Sequence, residues 1–274
     1  MEALVNNLPV HYVEHGSGMP VLALHGWLSG LQEIAGFLEP FFGSRPGYRR
    51  IYPDLPGMGR TPAPDAVNSS DDMLHVLLGL VDELIGDAAF LVVGHSYGGY
   101  LARAIANRLP GQVVGLALIC PVTSMADRWQ VPEHVILHAS GDLSSLDPEL
   151  ESDFRGYFVV HTPETLQRFQ EVVAPVIGQS DMAALDRIGE RGQLRTSPEA
   201  GAAYTKPTLI LTGRQDSTVG YADQWRLIEH YPRATFAVLD RAGHALPHEQ
   251  RTLLHTLLAE WLDRVTEAMP KTRG

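Results

Sequence analysis

An α/β fold, with a mostly parallel sheet flanked by helices, is what this sequence predicts, on three observations. Short, largely apolar runs at 20–24, 49–53, 90–93, 113–120, 208–212 and 235–239 read as strands buried on both faces. Segments with apolar residues at helical spacing separate most of them, as with Leu74, Leu77, Leu78, Val81 and Leu84. Between Cys120 and Thr208 the alternation stops and the better segments are helical. That pattern predicts a helical cap inserted after the strand ending at Cys120, over the strand ends where such sheets bind ligands.

Taken in order, residues 10–14 alternate in part and end at the turn Gly16-Ser17-Gly18. The strand 20–24 runs into His25-Gly26-Trp27-Leu28-Ser29-Gly30. A helix follows over 31–42, weakened by Gly36 and Pro40. The strand 49–53 leaves through Asp54-Leu55-Pro56-Gly57-Met58-Gly59, a turn-rich exit. Ser70 or Asp71 caps a helix reaching Ile85. The strand 90–93 enters Gly94-His95-Ser96-Tyr97-Gly98, and 100–109 is helical with Leu101, Ile105 and Leu109 on one face. Within 121–205 the spacing predicts helices over 146–154, 163–173 and 180–191 and no Val/Ile-rich strand. After the strand 208–212 come a helix over 224–230, the strand 235–239 and a last helix over 250–265 with Leu253, Leu254, Leu257, Leu258, Trp261 and Leu262 on its buried side. Residues 1–120 and 206–274 thus form the core, and 121–205 the cap.

The pattern G-x-S-x-G between a strand and a helix singles out Ser96. A sharp turn there holds the hydroxyl clear of the sheet, above a helix N-terminus. A serine hydroxyl needs a histidine to take its proton and an acid to orient that histidine. Asp216 follows one late strand and Gly243-His244 the next, so both sit on loops at the same sheet edge as Ser96. None of the other histidines ends a late strand behind a glycine; His248 is the substitute for the base. Asp240 and Asp223 are the competitors for the acid. The backbone N–H of Tyr97, first in the helix, is a candidate oxyanion donor.

These pieces together resemble the lid-bearing α/β-hydrolase family: His25-Gly26, the Asp54-Leu55-Pro56-Gly57-Met58-Gly59 turn, the Ser96 elbow, Asp216 and Gly243-His244. The resemblance implies a Ser96–Asp216–His244 triad and puts the second oxyanion donor on the backbone N–H of Trp27. It implies that the 54–59 stretch is a structural turn. The glycines there lack the full dinucleotide or phosphate-loop pattern. Members with an aspartate nucleophile, the dehalogenases and epoxide hydrolases, are disfavoured by Ser96. Carbon–carbon hydrolases of ring-cleavage products usually carry tryptophan after the base, where Ala245 stands here. The expected activity is therefore hydrolysis of a small to medium carboxylic ester through an acyl-enzyme. Carbon–carbon or thioester hydrolysis and a low-turnover ligand receptor on the same scaffold are the alternatives. Trp129, Phe154, Phe158, Val219 and Leu246 are candidate pocket walls.

Composition sets the remaining bounds. A hydrophobic fraction of 45% and a charged fraction of 19% over 274 residues describe a chain able to bury a full core. The net charge of −11 argues against nucleic acid or anionic membrane as a main partner. Cys120 is the one cysteine, ends an apolar run, and reads as a buried thiol. No histidine–cysteine–carboxylate spacing suggests a metal, and no cofactor is implied. The first ten residues carry neither a basic cluster nor a long apolar run, so the cytoplasm is the expected location. A monomer or homodimer acting on a small, uncharged or partly apolar molecule completes the expectation.

Overall fold

The computed structural model describes residues 1–125 and 130–269. It opens on a hairpin that sequence patterning did not anticipate, β1 (Glu2–Val5) against β2 (Leu8–Gly16). Asn6 and Asn7 make its two-residue turn at φ 49° and 67°, a conformation asparagine tolerates better than most residues. Next come β3 (Met19–Leu24), α1 (Leu31–Phe42), β4 (Tyr48–Pro53), α2 (Ser70–Leu84), β5 (Phe90–His95), α3 (Tyr97–Arg108) and β6 (Val113–Ile119). The inserted region holds β7 (His138–Ala139), α4 (Pro148–Tyr157), β8 (Val160–His161), α5 (Pro163–Arg168) and α6 (Met182–Gly189). The chain then returns to the sheet through β9 (Thr208–Gly213) and β10 (Ala234–Leu239), and ends in α7 (Leu246–Glu249) and α8 (Arg251–Ala268).

Eight strands form the main sheet in the order β1-β2-β4-β3-β5-β6-β9-β10, parallel from β4 to β10. Burial on both faces explains why the central strands do not alternate. Phe90 and Val92 of β5 pack into the core under α2 and α3, while Leu91 and Val93 pack into the core under α1 and α8. β6 divides likewise, with Leu116 and Leu118 on one side and Ala117 and Ile119 on the other. Because the strands are parallel, the loops after β3, β5, β6, β9 and β10 all leave one edge.

Four local expectations change, the first being that Ser69, whose side chain accepts the Asp72 N–H, caps α2 in place of Ser70 or Asp71. The predicted 163–173 helix is α5 followed by a π-helical stretch, Phe169–Val173, that stops before Pro175, whose ring cannot continue a regular helix. The segment after β9 is a 3₁₀ stretch, Asp223–Glu229, instead of an α-helix. The cap also contains the short parallel pair β7–β8, too brief to leave an apolar signature.

The elbow depends on missing side chains. A Cβ on Gly98 would lie 2.2 Å from the Leu24 carbonyl oxygen, and one on Gly94 would lie 2.4 Å from the Gly98 carbonyl. Both obstacles are backbone, so neither can swing aside. Gly98→Ala should therefore destabilise the fold by about 3 kcal/mol, at the upper end of what overpacking does, and lower Tm by roughly 6–12 °C for a chain this size. Calorimetry of that variant checks it; an unchanged Tm would mean that β3 and α3 are not so tightly opposed.

Candidate active site

Ser96 sits between β5 and α3 at φ 54°, ψ −119°, outside the regions an L-residue prefers. Hydrogen bonds hold it there. Its N–H donates to the Ile119 carbonyl at 3.0 Å, and its own carbonyl accepts from Gly99, Tyr100 and Val122. This over-determination supports the strained conformation. The residue is 7% exposed, open enough for its hydroxyl to be reached through the cavity it faces.

His244 arrives from the loop after β10. Its Nε2 lies 2.9 Å from Ser96 Oγ and its Nδ1 2.8 Å from Asp216 Oδ2. Asp216, fully buried after β9, turns its other oxygen to the N–H groups of Thr218 and Val219, each at 2.9 Å. With the carboxylate ionised, Nδ1–H donates to it and Nε2 is left to accept from the serine hydroxyl. Neither competing acid takes this place: Asp240 is exposed, and Asp223 accepts from the Gln130 N–H.

The electrostatics favour the same proton arrangement. Burial opposes ionisation of Asp216, but the His244 charge and hydrogen bond, with the Val219 and Thr218 amides, hold its pKa below the usual carboxylate value. Burial likewise opposes a charged His244, yet Asp216 outweighs it and raises the ring above the ordinary 6.5. Since proton removal from Ser96 needs neutral His244, turnover should fall as pH drops through a value above 6.5. A kcat/KM–pH profile checks this. An acid limb below 6.5 would show that Asp216 does not act on the ring as its position requires.

Two further histidines brace the site. His95 Nε2–H donates to the His244 carbonyl at 3.3 Å; burial first, and then the His244 charge, push its pKa down to about 4, so it stays neutral. His25 donates from Nδ1 to the Gly26 carbonyl and accepts the Leu55 N–H at Nε2, tying the loop after β3 to the 54–59 turn. In that turn Asp54 accepts from the Leu31 and Arg60 amides and pairs with His11, a structural role. Among the described residues His95, Cys120 and His244 place one ligand atom each within 4.8 Å of one another. His244 is engaged at both ring nitrogens by Asp216 and Ser96, and burial holds the Cys120 thiol far above its ordinary pKa, so neither side chain presents a free ligand atom.

Ser96 and His244 open onto a cavity of about 1010 Å³ between the sheet edge and the inserted helices. Val219 lines it, as the sequence suggests, with Trp27, Met125, Tyr157, Phe169 and Val173. The Trp27 ring stands edge-on to Tyr97 at 4.9 Å, and a Cβ on Gly26 would lie 3.2 Å from the Ser96 Cβ, so this loop runs directly against the nucleophile. Phe154 and Phe158 do not line the cavity. They are fully buried in the cap's own core with Leu143, Leu166 and Phe169, because the inner stripe of α4 packs on cap residues. Leu246 also turns away, into the core under α8. Trp129 lies outside the described residues.

Three site residues escape sequence reasoning: Glu33, Tyr157 and Glu249. Glu33 of α1 faces the cavity and accepts from Ser29 Oγ at 2.5 Å, Tyr157 Oη at 2.9 Å and His248 Nε2 at 3.2 Å. Burial opposes its ionisation, but His248 above all, then His95 and Ser29, hold its carboxyl well below the usual range. His248, the alternative base, is thereby committed to Glu33 and makes no contact with Ser96. Tyr157 reaches across from α4, and Glu249 of α7 accepts backbone N–H groups on two sides. One signal was present: Glu33 is four residues before Phe37, on the apolar face of α1.

The sequence profile described as "Alpha/beta hydrolase family" matches residues 21–254. The chain belongs to the alpha/beta hydrolase family. Within that family it is a serine hydrolase with an inserted cap, on the relay just described. A crystal structure of an alpha/beta superfamily hydrolase from Oenococcus oeni superposes with a TM-score of 0.90 at 31% identity, covering 97% of this chain and 99% of that one. The 2-hydroxy-6-oxononadienedioate/2-hydroxy-6-oxononatrienedioate hydrolase of Burkholderia vietnamiensis is 30% identical over 94% of this chain and 92% of its own length. The 2-hydroxymuconate semialdehyde hydrolase of a Pseudomonas species (strain CF600) is 25% identical over 95% and 93%. No described helix is long and apolar enough to cross a membrane.

Proposed function

We propose that this family member hydrolyses a small to medium carboxylic ester that carries no charge near the scissile bond, through an acyl-enzyme on Ser96. One observation carries the reading: the relay opens onto a cavity with no lysine or arginine among its described lining residues, while Glu33 adds a buried negative charge. A cavity of about 1010 Å³ has room for both halves of such a substrate.

In this reading His244 Nε2 takes the Ser96 proton as Oγ attacks the carbonyl, and Asp216 steadies the imidazolium. The N–H groups of Trp27 and Tyr97 hold the developing oxyanion. His244 then protonates the departing alcohol, and a water deprotonated by the same ring releases the acid. Val219 and Trp27 bound the space for the substrate's apolar parts.

The relatives support a second reading, and more directly than they support the first. The two curated relatives are named for substrates with no ester or amide bond, so hydrolysis there breaks a carbon–carbon bond. The same serine relay can accept a ketone carbonyl in place of an ester. The cavity's charge weighs the other way, since the dioate substrate carries carboxylates and finds no described cation here. A panel of p-nitrophenyl esters against ring-cleavage dienoates, their uncharged methyl esters and acyl thioesters separates the readings. Ester turnover exceeding dienoate turnover supports the first; efficient cleavage of the free dienoates overturns it in favour of the second.

A further inference from the structure

We propose that Glu249 is a positioning residue whose carboxylate ties the seated cap to the loop that carries His244. Its Oε1 accepts the N–H groups of Val159 and Val160, at 2.6 and 3.1 Å, where the cap chain passes from α4 into β8. Its Oε2 accepts the N–H of Gly243 at 2.7 Å, the residue before His244. One oxygen therefore serves the cap and the other the base loop. Burial pushes the Glu249 pKa up to about 7 against the pull of the three amides, and the ionised form is the one that accepts on both sides, as three converging donors require.

Packing at this point reinforces the link. A Cβ on Gly243 would lie 2.9 Å from Val159 Cγ1, so the bare glycine lets the cap's valine rest on the base loop. Arg168 of α5 donates to the His248 carbonyl, one residue before Glu249. The Phe158 ring lies 5.8 Å from the His248 ring. Cap residues thus meet α7 and its approach at Gly243 and His248, and the carboxylate is where these contacts join the chain to His244. A cap that lifts takes Val159 and Val160 with it and leaves the carboxylate on α7 with the Gly243 amide alone, so the carboxylate can turn to solvent and the loop that carries His244 loses the bracing it has while the cap is seated.

The inference rests on His244 acting as the general base. Glu249→Gln tests it, because the amide keeps the size but offers one acceptor oxygen, and its NH₂ must face either the cap or the base loop. The Gln variant should label Ser96 with a small fluorophosphonate roughly 10-fold more slowly, with kcat for a small ester falling by a similar factor and KM little changed. Hydrogen exchange at Gly243 or at Val159 and Val160 should rise by at least about 10-fold in the same protein. A lower Tm and a raised KM with labelling and kcat intact would overturn the proposal, leaving Glu249 a brace for the cap alone. Should the variant fail to fold, the native protein decides: the three amides should share one protection factor within about threefold, and a Gly243 amide that opens independently of Val159 overturns the link. His244→Ala with undiminished labelling would defeat the base assignment itself, whereas the exchange measurements read the clamp regardless of that outcome.

Discussion

Ser96→Ala should abolish turnover, with kcat/KM falling by about 10⁴-fold or more while the fold persists. The expectation follows from how little else at the site can attack a carbonyl. Cys120, the one thiol, is fully buried and held strongly protonated. Tyr157 Oη is committed to Glu33. Alanine removes the 2.9 Å contact with His244 but none of the backbone bonds that shape the elbow, so stability should change by no more than about one hydrogen bond's worth, roughly 1 kcal/mol, or about 2–4 °C in Tm. Measuring hydrolysis and melting on the same preparation checks both halves. The alternative of a receptor with little turnover predicts the opposite, a residual rate that Ser96→Ala barely alters.

What could be read in the sequence was local, and what could not was long-range. The elbow is legible because its constraints lie within a few residues: Gly94 and Gly98 are small because α3 packs on β3 and β5 at that point, and the serine between them follows. Asp216 and His244 are legible because each closes a strand of a parallel sheet, and such strands present their ends together. The Glu33 network is not, since its partner Tyr157 lies 124 residues on, in a cap whose docking no local pattern specifies. Glu249 is hidden for the same reason, its cap partner Val159 being 90 residues away. Phe154 and Phe158 show the converse. Their spacing at the end of α4 announces burial, but an amphipathic pattern is the same whether its apolar face meets a substrate cavity or the cap's own interior. The β1 hairpin left one overlooked signal, the Asn6-Asn7 pair between short alternating segments.

The second large effect should come from Asp216→Asn, a change of one atom in a group that never touches the substrate. Asp216 is acceptor-only at both oxygens, with His244 Nδ1 on one side and the Thr218 and Val219 amides on the other. An asparagine cannot satisfy both. If its NH₂ faces Thr218 and Val219, donors oppose donors in a fully buried place. If it faces His244, Nδ1 must become the acceptor, the proton moves to Nε2, and the ring then donates to Ser96 in place of accepting from it. The second arrangement leaves every buried group paired, so it should prevail, and it is the wrong tautomer for proton removal. We expect kcat to fall by about 10⁴-fold with KM little altered. The lost carboxylate also removes the main influence raising His244, so the acid limb of the residual activity should move to lower pH than in the native enzyme. A variant that kept its rate and its pH profile would show that His244 is oriented by other means, the His95 bond to its carbonyl and the Glu249 bond to Gly243 among them.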